Sequence, residues 1–124
     1  PLPMHNPEAK TLAVASECIG KFDEQTLYWA FIDDIFNANK QKGSIEQQLT
    51  TFLNASNVDE KNILNCLKTG GTVAEVEKDI HLADELGIRG TPTSFLVNNE
   101  TKDIEVFQGI QTTEQLDALI QAIL

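Results

Sequence analysis

Leu86-Gly87-Ile88-Arg89-Gly90-Thr91-Pro92-Thr93-Ser94-Phe95-Leu96-Val97 is where this sequence changes its period. Up to Leu86 the apolar residues recur at helical spacing. At Gly87 that pattern stops, turn residues follow, and an apolar strand begins directly after a proline. Proline has no N–H to give to a sheet ladder, so Pro92 belongs at a strand's first position or edge. With Thr91 on one side and Thr93 on the other, it reads as a proline whose turn presents backbone to something else.

Downstream, Phe95-Leu96-Val97 and Ile104-Glu105-Val106-Phe107 flank the polar run Asn98-Asn99-Glu100-Thr101-Lys102. This predicts an antiparallel hairpin with a five-residue loop. Gly109 ends the second strand, and Thr112-Thr113-Glu114-Gln115 starts a last helix with Leu116, Leu119, Ile120 and Ile123 inward. Phe95-Leu96-Val97 is apolar on both faces, as expected of a strand covered on both sides. Two strands alone are marginal, so the hairpin is expected to need further neighbours.

Upstream, everything reads as helix. Asn6-Pro7 marks a start, a capping side chain followed by proline where its missing N–H matters least. Ala9, Leu12, Ala13, Ser16 and Ile19 then form one face, and Gly20 is expected to end the helix. Asp23 is expected to cap a second helix whose face carries Leu27, Tyr28, Phe31, Ile32, Ile35 and Phe36, with Trp29 beside it partly exposed. A polar turn covers 37–43. Ser44-Ile45-Glu46-Gln47 fits a capping box leading into Leu49, Phe52 and Leu53. Asp59 is expected to cap a short helix with Ile63, Leu64, Cys66 and Leu67, closed by Gly70-Gly71. Thr72-Val73-Ala74-Glu75 reads as a second capping box before Val76, Ile80, Ala83 and Leu86, with Gly87 as the left-handed exit. The expected order is five helices, a two-stranded hairpin and a helix, an α+β and mostly helical chain.

Composition narrows the partners. The 124 residues suit one domain with a modest core, and the net charge of −10 from 19 acidic and 9 basic residues disfavours nucleic acid. No apolar run approaches the roughly 18 residues of a membrane span, and no signal peptide is visible. The opening Pro1-Leu2-Pro3-Met4 reads as a processed product or an excised segment. Cys18 and Cys66 lie too far apart for a redox pair or a zinc framework; they read as two buried thiols or as one structural disulfide. His5 and His81 read as solvated and not as metal ligands, and no metal or cofactor is expected. Adjacent Asp33 and Asp34 point to different sides of a helix, so they are not a carboxylate pair. Asn54-Ala55-Ser56 and Asn99-Glu100-Thr101 match the N-glycosylation triplet, which arises often by chance.

A helix, then Gly87-Ile88-Arg89-Gly90-Thr91-Pro92-Thr93, an apolar strand, a turn, a second strand, a glycine and a closing helix resemble the C-terminal half of the thioredoxin fold. The helical block sharpens this. Leu2-Pro3-Met4-His5, Ala13-Val14-Ala15-Ser16-Glu17-Cys18, Gly20-Lys21-Phe22 and Asn65-Cys66-Leu67 resemble the helical insertion of bacterial DsbA-like thiol–disulfide oxidoreductases. The resemblance covers essentially the whole chain. It implies one DsbA-like segment over 1–124, with the helical insertion at about 7–70 and the thioredoxin-fold half at about 71–124.

In that family the strand and helix carrying Cys-x-x-Cys come before the segment that matches Leu2-Pro3-Met4-His5, so the redox dithiol is expected to lie outside this sequence. The resemblance thus implies no catalytic residue within 1–124 and no activity of this chain by itself. It implies that Pro92 follows a cis peptide bond and faces the reactive cysteine. Thr91 would offer backbone groups to an extended substrate chain, and Gly90 would allow close approach. The Thr91 side chain would lie beside the thiolate, and Arg89 would bring a positive charge to the same turn. Related proteins sometimes staple the insertion helices together, which makes Cys18 and Cys66 candidates for a structural disulfide. The implied function is transfer of disulfides to folding secreted proteins, this segment supplying the proline turn and a helical cap. The implied location is periplasmic, and the implied partners are unfolded or extended polypeptides and a redox partner protein. The alternative is a thioredoxin-like module that binds peptides without redox chemistry. In either case the hairpin edges, if uncovered, invite self-association.

Overall fold

The computed structural model describes residues 2, 7–22, 26–37, 43–56 and 60–124. Among these the elements are α1 (Pro7–Phe22), α2 (Thr26–Asn37), α3 (Ile45–Ser56), α4 (Glu60–Thr69), α5 (Val73–Glu85), β1 (Thr93–Val97), β2 (Ile104–Gln108) and α6 (Thr113–Ile123). The chain is α+β and mostly helical, with one antiparallel hairpin between α5 and α6. It divides into two compact units, Pro1–Leu82 and Ala83–Leu124. The expected caps Asn6, Asp23 and Asp59, and His5, lie outside the described residues.

The first unit is built around α1, which packs against α2, α3 and α4. Its core gathers Val14, Ala15, Cys18 and Ile19 of α1, Phe31 of α2, Leu49 and Leu53 of α3, Ile63 and Cys66 of α4 and Val76 of α5. Small residues on α1 let its neighbours approach, and the largest side chain at the centre is Phe31, whose ring sits 5.0 Å from that of Phe52. Truncating such a buried phenylalanine to alanine costs about 3–5 kcal/mol.

Three local expectations fail here for identifiable reasons. Gly20 does not end α1, which continues to Phe22. A Cβ on Gly20 would lie 3.2 Å from Tyr28 Cδ2, so its missing side chain makes room for a ring of α2. Phe36, expected with the core face, is 80% exposed. Five residues separate it from Phe31, which turns it about 140° around the helix from the buried position. Thr72, expected to cap α5, is buried, and its hydroxyl donates to Val14 O at 3.0 Å instead. The box at Ser44 forms as expected: Gln47 N donates to Ser44 Oγ at 3.3 Å and Ser44 N to Gln47 Oε1 at 2.9 Å.

In the second unit β1 pairs with β2 in the register Thr93↔Gln108, Phe95↔Val106 and Val97↔Ile104. The loop is one residue longer than expected, because Asp103 also lies outside the strands; Asn98 N bonds Asp103 O at 3.0 Å and Lys102 N bonds Asn98 O at 2.9 Å. Asn98 Oδ1 accepts from Glu100 N and Thr101 N, while its Nδ2 donates to Ile123 O at 2.7 Å, tying the loop to the end of α6. The Thr112 and Gln115 capping box opens α6. Glu114 in its first turn is held below its ordinary value by its own backbone N–H and then by the Thr112 hydroxyl. The helix packs on both strands.

The covered strand expected at Phe95-Leu96-Val97 is covered on one side only. Phe95 and Val97 are 41% and 45% exposed, and their cross-strand partners Val106 and Ile104 are 53% and 58% exposed. These four share one face because side chains alternate along a strand. One helix and two strands have only one apolar interface to share. No residue of Ala83–Leu124 is fully buried.

Candidate functional site

The turn before β1 is assembled from backbone chemistry. After α5, Gly87 takes φ +68°, Gly87 N bonds Asp84 O at 3.0 Å, and Ile88 N bonds Ala83 O at 2.9 Å. This is a Schellman ending, in which a left-handed glycine satisfies the last carbonyls of the helix. Arg89 does not project over the turn: its Nη1 is 2.8 Å from Asp84 Oδ1, so its charge is paired back onto α5. Asp84 was not singled out from sequence. The signal was its place five residues before Arg89, where a helix end lets a long side chain fold back.

Gly90, Thr91 and Pro92 follow as a bend directly before β1, with Thr91 and Pro92 exposed. The Thr91–Pro92 peptide bond is cis. Two bonds bracket the turn. Thr93 Oγ1 donates to Gly90 O at 2.7 Å, and Gly109 N donates to Pro92 O at 2.8 Å, locking the proline carbonyl to the far end of β2. A Cβ on Gly90 would meet nothing within 4 Å. Among the described residues nothing crowds that position, which leaves room for an incoming group.

The cysteines lie in the helical unit. Cys18 of α1 and Cys66 of α4 form a disulfide with Cα atoms 5.8 Å apart, and both residues are buried. Thr72 Oγ1 lies 3.4 Å from Cys18 Sγ. Cys66 O accepts from Gly71 N at 2.9 Å, so α4's last turn and the start of α5 are fastened beside the bridge. Both cysteines of the sequence are used in this bond, which leaves no free thiol. The bridge reads as a fastening between helices: both cysteines are buried as part of the core of the helical unit.

His81 is exposed on α5, and Asp33 and Asp34 are exposed on α2. Among the described residues no group of three His, Cys, Asp or Glu side chains is arranged to hold a metal ion, and no helix is long and apolar enough to cross a membrane.

Compared with known families, residues 28–124 match the sequence model of the thioredoxin-like domain, a span of more than three quarters of the chain. No curated protein and no solved structure gives a significant match.

Proposed function

The chain belongs to the thioredoxin-like domain family, and from that premise we propose that it serves thiol–disulfide exchange on extended polypeptides, with Gly90-Thr91-Pro92 as the substrate-facing turn. The observation that carries this reading is an exposed turn directly before β1 in a domain of that family, braced from behind by the Thr93–Gly90 and Gly109–Pro92 bonds. An extended chain laid along such a turn gains main-chain hydrogen bonds, which give affinity without sequence specificity.

On this reading the protein is DsbA-like. The helical unit acts as a cap, and the reactive thiols come from a polypeptide segment outside 1–124. Supporting that division, Cys18 and Cys66 are both consumed in a buried bridge. Exchange requires a thiolate that can reach a disulfide sulfur, and neither sulfur has that access. The working compartment is then an oxidising one, the bacterial periplasm. The test is reduction of a disulfide-bonded polypeptide by residues 1–124 alone at neutral pH. No turnover is expected; dithiol turnover would contradict the roles given to the two cysteines.

A second reading, a peptide-binding module without redox chemistry, is favoured by the same bridge, since it leaves no free thiol. The two readings separate on the thiol content of the protein in its natural context. A reactive Cys-x-x-Cys pair brought against Pro92 supports the oxidoreductase, and its absence supports the binder.

The apolar face of Phe95, Val97, Ile104 and Val106 belongs to the same proposal. Half-exposed among the described residues, it should drive self-association. Light scattering across a concentration series should show oligomers that Val106→Lys disperses. A monomer at every concentration would count against this.

A further inference from the structure

A groove in the helical unit has the chemistry of a cation site. Glu17 and Gly20 of α1 face Tyr28 and Trp29 of α2 around a cavity of about 250 Å³. A second cavity of about 220 Å³ shares Glu17 and Tyr28 and reaches Asp79 of α5. The two aromatic rings are perpendicular, centroids 5.2 Å apart at 88°, and Trp29 is 62% exposed. Gly20 lets the Tyr28 ring lie close against α1. The first cavity therefore sets two aromatic rings beside the Glu17 carboxylate, and the adjoining one sets Tyr28 and Glu17 beside Asp79.

Its charges are unbalanced. The ion pairs among the described residues are Lys10–Glu77, Lys68–Glu46 and Arg89–Asp84, and neither Glu17 nor Asp79 takes part in one. Both carboxylates act on the phenol. Tyr28 is pushed above its ordinary value by burial first, then by the Glu17 charge and hydrogen bond, then by Asp79. An aromatic wall attracts a cation over its face, and a carboxylate gives that cation a hydrogen-bond partner.

We propose that this groove holds the guanidinium of an arginine side chain displayed by a partner polypeptide. Arginine fits better than lysine because its planar head stacks on an aromatic ring while its fork of N–H donors reaches carboxylates. The net charge of −10 adds a long-range attraction for such a partner. The site lies wholly within Pro1–Leu82 and makes no use of the Thr91–Pro92 turn, so it stands or falls separately from the function proposed above.

Trp29 is the only tryptophan, so its fluorescence reports on the groove directly. A blocked Gly-Arg-Gly tripeptide should change the emission saturably, with the neutral citrulline counterpart binding at least about tenfold more weakly. Glu17→Gln and Asp79→Asn should each weaken the arginine tripeptide by about threefold or more. Equal binding of the arginine and citrulline tripeptides, or no saturable change, would overturn the proposal. That comparison uses the unmodified chain, so it decides the matter even where a variant fails to fold.

Discussion

The hydroxyl of Thr72 donates to the carbonyl of Val14 at 3.0 Å, joining the start of α5 to the middle of α1 beside the Cys18–Cys66 bridge. Thr72 is 3% exposed, so this bond works away from competing water. Thr72→Val keeps the shape and removes the donor. Urea unfolding should show a loss of about 1 kcal/mol, with Thr72→Ser retaining more of it than Thr72→Val. A valine variant as stable as the parent would mean that the bond contributes nothing.

The bridge itself should matter more. Joining Cys18 to Cys66 closes a long loop and lowers the entropy of the unfolded chain, which corresponds to about 4 kcal/mol if the bond is unstrained. Replacing both by alanine should lower stability by a large share of that amount. Denatured, unreduced protein should take up no alkylating reagent, and reduced protein should be labelled at both cysteines. Labelling without reductant would show that the bond is not there.

Two glycines of the site should separate backbone strain from function. Gly87 needs its positive φ although a Cβ there would meet nothing, so Gly87→Ala should cost about 1 kcal/mol from conformation alone. Gly90 has no positive φ, and a Cβ there would meet nothing within 4 Å, so Gly90→Ala should leave stability nearly unchanged. Any loss of polypeptide binding in Gly90→Ala is then an effect at the turn. The pair can be compared by chemical unfolding and a binding assay on the same samples.

Acid should weaken one surface pair. The hydrogen bond from Lys10, and then its charge, hold the Glu77 carboxyl below its ordinary 4.5. A lowered folded-state value means a contribution that is present above the unfolded value and is lost as pH falls through the lowered one. Stability curves of the parent and Glu77→Gln should therefore stand apart above about pH 4.5 and converge in acid. Both side chains are exposed, so the gap should be small and should shrink with salt. A gap that stays constant with pH would remove the pair as its cause.

Ser44 and Thr112 show what was legible in the sequence. Each heads a box of the form S/T-x-x-Q, each side chain lies in solvent, and each cap forms. Thr72 heads the same kind of box, but its position is buried, and its hydroxyl is oriented to donate to a carbonyl of α1. Local motifs hold where nothing from elsewhere in the chain reaches them. Gly20 makes the same point, because its role depends on a ring eight residues away that no helical signal specifies. The Schellman turn at Gly87 and the proline just before β1 were readable because both follow from backbone limits of single residues. The Arg89–Asp84 pair and the open face of the hairpin were not, since side-chain direction and the cover of a sheet are decided by packing.

The central claim is that the turn at Thr91–Pro92 meets an extended polypeptide, and amide chemical shifts test it most directly. An unfolded polypeptide free of arginine, with its cysteines blocked, is titrated into the isotope-labelled chain. The expected result is that the largest shifts fall on the amides of Gly90, Thr91, Thr93 and Ser94, which flank and follow the proline. Shifts confined to Pro1–Leu82 with those four amides unmoved, or no shifts at all, would contradict it.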